Sequence, residues 1–439
     1  MDAVFLSRIQ FGLSVGFHFI FPSLTLGLAL LICVIETIYY RSDNETYKKL
    51  SAFLIKLLGL IFTLGVATGI VLEFSFGTNW AEYSRIVGDI FGAPLAAEAV
   101  FAFFLESVFL GVLLFGRSRV SKRVYLFSAY IVTFASHLSA FWILAANSWM
   151  QTPAGFVMVE GRAVLQSFFE ALFNHSTLIR LLHVVLSSWI AGSLFAAGIG
   201  AWYLIKVKYV ELAKPLVRIS MIIFVFSSLV MLGSGHSHSI QVARTQPAKM
   251  AAFEALWKTE KGAPMALIGW PNEDEEKTYA EIAVPNLLSL LIDFNPESEV
   301  KGLNAFPKNE WPPILPTFVS YHIMIGLGML FIAMAFVYGH ALLTKKLYNN
   351  RTLLWILVFS IPLPHVAIQF AWIAAEVGRQ PWAVYNILKT VDAVSKVVPA
   401  GHILFTLIIF SLIYILLFCF FIFILLKLIK SGPELAKSY

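Results

Sequence analysis

The stretch AAEVGRQPWAV, residues 374–384, closes one of the most apolar runs in the chain. The run itself, 352–377, is long enough to cross a bilayer as a helix, which takes about 20 residues. It then ends on a carboxylate, a guanidinium and a helix breaker, Glu376, Arg379 and Pro381, with Gln380 and Trp382 beside them. The length of the run decides the class of fold, and its charged ending marks one end of the molecule as unusual.

Working outward, composition points the same way. Of the 439 residues 59% are hydrophobic and 13% charged, and the mean hydropathy is +0.78. A soluble domain is about half apolar and a quarter charged, so the chain reads as an all-α, polytopic membrane protein lying in a lipid bilayer. Further runs of spanning length lie at 10–39, 52–76, 92–115, 124–148, 179–205, 215–235, 314–344 and 400–426, which makes nine with 352–377. Pro22 inside the first predicts a kink. The organisation expected is six spans in 1–235, a polar insertion over 236–313 that contains WPNEDEEKTYAE, and three spans plus a tail in 314–439.

Positive charge sets the orientation. One set of alternate connections carries Arg41, Lys48 and Lys49; Arg117, Arg119, Lys122 and Arg123; Lys206, Lys208 and Lys214; Lys345, Lys346 and Arg351; and Lys427, Lys430 and Lys437. The other short segments hold Arg8, Arg85, Arg162, Arg379, Lys389 and Lys396. By the positive-inside rule the N-terminus and the insertion face outward and the C-terminus inward. The net charge of +6 is accounted for by these loops and calls for no nucleic-acid partner. Cys33 and Cys419 both sit in apolar runs without a spacing motif, so neither disulfide nor zinc site is expected. The start, MDAVFLSRIQ, has an early acid and no cleavage pattern, so no removable signal peptide is expected.

Ionisable groups inside spans are costly and therefore informative. With the topology set, His18, Glu73, Glu98, Glu106, His183, Met324 and Glu376 all fall in the outer half, Glu106 two turns deeper than Glu98. Histidine, methionine and carboxylate are the side chains that ligate haem iron in helix bundles. A His and a Met on different spans can close both axial positions of one haem, whereas a lone His or Glu leaves a position open for a small molecule. Singly, however, an intramembrane His more often satisfies a carbonyl, a Met more often fills a gap, and a cation transporter also collects buried acids. At the level of residue chemistry both readings, haem protein and ion pathway, stand. No two histidines share one span at a spacing suited to copper.

Longer words go further: LSRIQFG at 6–12, GVATGIVLEFSFGTNW at 65–80, GDIFGAPLAAEAVFAFFLES at 88–107, LSAFWILAANSWMQTP at 138–153 and EVGRQPW at 376–382. In this order they resemble subunit I of the cytochrome bd family of quinol oxidases, in its short Q-loop form, over residues 6 to about 430. The resemblance implies a terminal oxidase of a bacterial cell membrane that oxidises quinol and reduces oxygen to water. Its cofactors would be two b-type haems and one d-type or third b-type haem, without copper, and its partners a second polytopic subunit and small single-span subunits. It places His18 and Glu376 at the two high-spin haems, Glu98 beside that pair, and His183 and Met324 as axial ligands of the low-spin haem. It places Glu106, Ser107 and Ser139 on a proton route, Trp372 between haems, and Lys249 and Glu254 at the quinol. Arg379 reads as a partner of a propionate or carboxylate, Gly378 as the residue that lets the helix end, and Pro381 as its stop. Electrons are expected to enter at the low-spin haem and protons to climb from the inner face without a pump.

Two departures stand out. Many members carry Arg where this chain has His322, so a weaker and more pH-sensitive hold on the low-spin propionates is expected. Span six was expected to end in acidic residues; instead GSGHSHSIQVARTQ carries His236 and His238, read as solvated loop groups or, as the second reading, as groups at the quinol site.

Overall fold

The computed structural model describes residues 2–433; Lys437 of the basic tail lies outside them. Nine helices among the described residues are long and apolar enough to cross a membrane. Spans one to four run Ala3–Ser42, Glu45–Gly77, Ala81–Phe115 and Lys122–Gln151. Span five is Thr177–Ile205, and spans six to nine are Val210–Thr245, Ile314–Leu343, Arg351–Val377 and Ala400–Ser431. The fold class read from composition holds: the bundle is all-α apart from four two-stranded sheets in the connections.

Span one stays a single helix through Pro22. Proline cannot donate to the carbonyl four residues back, so Pro22 leaves the His18 carbonyl without its helical bond. Spans one and five meet at backbone distance. A Cβ on Gly27 would lie 2.4 Å from the Ser188 carbonyl and 2.7 Å from the Gly192 Cα, so only glycine fits. Small residues at such a crossing let helices in lipid gain close van der Waals contact. Around it Phe21, Leu24, Leu28, Leu54, Leu58 and Phe195 form the largest core cluster.

At the end away from the insertion, Glu36 of span one is 2% exposed. It accepts hydrogen bonds from Ser51 of span two and from Arg117, which follows span three. The Arg117 guanidinium also lies 4.2 Å from the Tyr125 ring centroid of span four. One buried carboxylate thus ties four spans together.

Two spans depart from a plain helix. Span three contains a six-residue π-turn, Glu98–Phe103, a feature that concentrates at functional sites. Span eight, expected to be continuous, breaks between Arg351–Phe359 and Leu363–Val377, because Pro362 and Pro364 remove successive donors.

A third departure corrects a boundary. Span six does not end at 235 but continues to Thr245, so the insertion begins ten residues later and His236 and His238 are helical, not loop groups. Gly, Ser and His lower helix propensity there, but packing outweighs it: the Gly235 Cβ position is 3.7 Å from the His183 ring, and Gln241 donates to Ser176 at 3.0 Å. The insertion proper folds as a short helix, Pro247–Glu254, a hairpin, Met265–Asn272 with Lys277–Val284, and a second helix, Leu287–Asp293. Its Phe253, Leu256 and Leu288 form an apolar cluster together with Phe318 of span seven.

Candidate functional site

The anomalous side chains collect at the end of the bundle that carries the insertion. His18 Nδ1 lies 2.9 Å from Thr68 Oγ1 of span two. The Thr68 hydroxyl proton is already given to the Leu64 carbonyl at 2.8 Å, so Thr68 accepts and His18 Nδ1 carries the hydrogen. Its Nε2 is then an open lone pair, the tautomer a metal ligand requires. Gly69 makes room for the ring, since a Cβ there would stand 3.2 Å from His18 Cε1. On span five, His183 Nδ1 faces Ser234 Oγ of span six at 3.3 Å, which again leaves Nε2 free. His238 stands edge-on to His183 with centroids 5.5 Å apart. Met324 lies on span seven, which packs on span six as span five does.

Glu376 is the centre of a polar knot. Its Oε2 takes Arg379 at 2.6 Å, and its Oε1 accepts from Asn147 and Gln151 of span four, each at 3.2 Å. Arg180 of span five is 3.9 Å away and donates to Asn147 Oδ1. A carboxylate offers about four lone-pair sites; three are used here and one remains. The Glu376 side chain is 31% accessible, so the carboxylate is not fully covered by its partners. Gly378 is not left-handed, with φ −66°. Glycine is needed there because a Cβ would lie 2.4 Å from the Ala374 carbonyl, and it would also crowd Lys249 Cγ at 3.2 Å and Thr317 at 3.3 Å. Trp372, one turn earlier, packs edge-on to Phe19 with centroids 5.1 Å apart, and the Arg180 guanidinium lies 5.8 Å from its ring.

The acids of span three are each met by a serine of span four. Ser139 donates to Glu98 at 2.6 Å and Ser136 to Glu106 at 2.5 Å. Ser136 also faces the Val132 carbonyl at 2.9 Å. The single hydroxyl proton of Ser136 is thus shared between Glu106 and the Val132 carbonyl. Ser107 stands apart from this pair, since its hydroxyl bonds back to Phe103 at 2.7 Å.

Lys249 and Glu254 share the short helix of the insertion but point to different places. The Lys249 ammonium is 3% exposed and donates to Gln151 Oε1 at 2.5 Å and Gln246 Oε1 at 2.6 Å. Burial first, then Arg180 and Arg379, hold it well below the usual lysine range, while Glu376 acts in the other direction. Glu254 accepts from the Ala266 amide at 3.1 Å, and its other oxygen is buried without a partner. Burial pushes its carboxyl up to about 8, against the Ala266 hydrogen bond. The His322 ring nitrogens each lie 2.9 Å from a main-chain carbonyl, Phe318 of its own helix and Ala266 of the hairpin, and a neutral imidazole has one N–H to give to them. The ring thereby links the hairpin to span seven.

Residues that pattern reading missed are Thr68, Ser136, Asn147, Gln151, Arg180 and Gln246. Arg180 left a signal, an arginine three residues ahead of His183 inside a span. Asn147 and Gln151, four apart in NSWMQ, share one helix face but are neutral and drew no notice.

These residues fit haem. Two histidines present open Nε2 atoms, and Arg180 Nε and Arg379 Nη1 are buried without a partner. Two guanidiniums, Arg180 and Arg379, flank one carboxylate. At least one positive charge is left over, and buried charge requires a counter-charge. A haem propionate would supply it.

A family model described as cytochrome bd terminal oxidase subunit I matches residues 6–433. The chain is 38% identical over 445 residues to the cytochrome bd ubiquinol oxidase subunit 1 of Bacillus subtilis (strain 168), covering 99% of this chain and 95% of that one. It is 34% identical over 508 residues to the cytochrome bd-II ubiquinol oxidase subunit 1 of Escherichia coli (strain K12), covering 100% and 98%. Among solved structures, the bd oxidase from Geobacillus thermodenitrificans superposes with a TM-score of 0.93 at 28% identity, over 98% of this chain and 99% of that chain. The chain belongs to the cytochrome bd terminal oxidase subunit I family, and is a multi-pass, haem-binding quinol oxidase subunit.

Proposed function

We propose that the chain is the haem-bearing subunit of a quinol:oxygen oxidoreductase with three haems, two b-type and one d-type or third b-type, and no copper. His183 and Met324 hold the low-spin haem from opposite spans, and His18 and Glu376 hold the two high-spin haems, with Glu98 beside them. The haems supply one-electron transfer and an iron at which oxygen is reduced to water. Arg379, Arg180 and Lys249 neutralise propionates, and Trp372 packs between the haem-holding spans.

Membrane quinol meets the protein at the insertion. Lys249 and Glu254 orient its oxygens, and Glu254 takes a proton from it once the one that burial holds on the carboxyl has left outward. With the N-terminus and insertion outside and the C-terminus inside, that proton leaves outward. The protons that end in water climb from the inner face through Glu106, Ser107 and Ser136 to Ser139 and Glu98. Charge is separated by this one-way uptake, without a pump. A second polytopic subunit and small single-span subunits complete the assembly in a bacterial cell membrane.

The observation that carries this reading is the Glu376 carboxylate between Arg180 and Arg379, with a buried guanidinium nitrogen of each arginine left unpaired. The test is a reduced-minus-oxidised spectrum of the purified complex with and without carbon monoxide. A high-spin, carbon monoxide-binding haem beside a low-spin b haem is expected, and Glu376→Ala should remove the former and keep the latter. Six-coordinate haem alone would leave an electron carrier without oxygen chemistry, and a colourless protein would leave a transporter.

A further inference from the structure

Asn147 and Gln151 lie one turn apart on span four, and each amide has the same two kinds of partner. Asn147 takes Arg180 on its oxygen and gives its nitrogen to Glu376 Oε1 at 3.2 Å. Gln151 takes Lys249 on its oxygen at 2.5 Å and gives its nitrogen to the same Oε1 at 3.2 Å. The orientation of both amides is fixed, because a cation can only donate and the carboxylate oxygen can only accept. Gln151 is 1% exposed, and its nitrogen also faces the Ala375 carbonyl at 3.5 Å. Lys249 has one further acceptor, Gln246 Oε1.

We propose that Gln151 is a positioning residue shared by the two redox sites, its oxygen holding Lys249 toward the quinol and its nitrogen holding Glu376 toward a high-spin haem. The inference rests on the functional reading above, in which Lys249 serves the quinol and Glu376 the iron. Asn147 is its internal control: it reaches the same carboxylate but touches Arg180 in place of Lys249. In a low-dielectric interior a chain of this kind transmits polarisation from one end to the other. Disturbing the middle residue therefore disturbs both ends, whereas the flanking amide disturbs one.

The experiment uses the purified complex with all its subunits and a short-chain quinol. Three readouts are taken: the KM for quinol, the midpoint potential of the carbon monoxide-binding haem, and the low-spin haem band as a measure of intact assembly. In Gln151→Leu the KM should rise about tenfold or more, the scale of a lost hydrogen bond to a charged group, and the high-spin potential should shift in the same variant. Asn147→Leu should shift the potential and leave the KM in place. Gln151→Glu keeps an acceptor for Lys249 and loses the donor to Glu376, so the KM is retained and the potential moves. A Gln151→Leu protein with only one readout changed, or an Asn147→Leu protein with an equal rise in KM, overturns the proposal. If Gln151→Leu loses its low-spin band, Gln151→Glu decides alone, and there both readouts changed or both unchanged overturns it. A wild-type complex without carbon monoxide-binding haem would instead sink the functional reading beneath it.

Discussion

Thr68 of span two accepts a hydrogen bond from His18 Nδ1 at 2.9 Å while giving its own proton to the Leu64 carbonyl at 2.8 Å. That pairing fixes which nitrogen of His18 is open. Thr68→Val keeps the shape and removes the acceptor, so the imidazole can rotate or change tautomer. Loss of such a supporting contact costs roughly 10–100-fold in metal affinity. Haem titration of the purified complex should show the His18 haem weakened by that order, with the His183 haem retained. Equal binding in the variant would show that packing by Gly69 alone orients the ring.

Glu106 accepts a hydrogen bond from Ser136 at 2.5 Å. Glu106→Gln can still pair with Ser136 but has no titratable proton to pass on. Oxygen reduction should fall about a hundredfold or more, the range of a lost acid–base group, while quinol still reduces the low-spin haem at the wild-type rate. Stopped-flow reduction followed by an oxygen pulse separates the two. Normal oxygen turnover would remove Glu106 from the route.

Glu254 carries the pH dependence of the insertion. Its folded value, about 8, lies above the ordinary 4.5 because of burial. Between those values the folded state holds a proton that the unfolded chain does not, so stability falls as pH rises. Its contribution is complete below about 4.5 and gone above about 8. Hydrogen exchange at Ala266 and its neighbours should therefore speed up across that window beyond the intrinsic chemical rise. Glu254→Gln should flatten this extra dependence, and a profile identical to wild type would exclude the carboxyl as its source.

Glu36 is buried beside Arg117 at the other end of the bundle. Arg117→Met leaves that carboxylate without its counter-charge, a loss of about 3–5 kcal/mol in comparable buried pairs. Thermal inactivation should come markedly earlier. Glu36→Leu combined with Arg117→Met removes both charges and should recover much of the loss, since apolar replacement of a whole pair is often neutral. A double variant as weak as the single one would show that Ser51 and Tyr125, not the charge, carry the contact.

Apolar run length made the nine spans legible, and the cost of burying Glu98, Glu106, His183 and Glu376 made their end of the bundle legible. What escaped was whatever carried no charge or broke no pattern. Asn147 and Gln151 look like ordinary polar residues at a helix end until the fold sets Glu376 against them. The Gly, Ser and His run of span six resembles a loop by propensity, and only its packing on His183 keeps it helical. His322 occupies the place where an arginine was expected, yet it faces the Phe318 carbonyl of its own helix and the Ala266 carbonyl of a hairpin far along the chain. Lys249 and Glu254 were both visible as charges, but that they face separate partners depends on contacts from spans four and eight and from the hairpin.

The glycine crossing of spans one and five has one more consequence. Both spans begin at the insertion end, so they run parallel, and His18 and His183 each stand nine residues before the glycine at which their helices touch, Gly27 and Gly192. At 1.5 Å per residue both histidines lie about 13.5 Å from that contact, at the same height. The pair of helices behaves as callipers hinged at the glycines, and the opening angle there sets the gap between the two histidines. Electron tunnelling depends steeply on such a gap. Two residues without side chains thus set how far apart the two histidines stand and, in the functional reading proposed above, the distance an electron would have to cross.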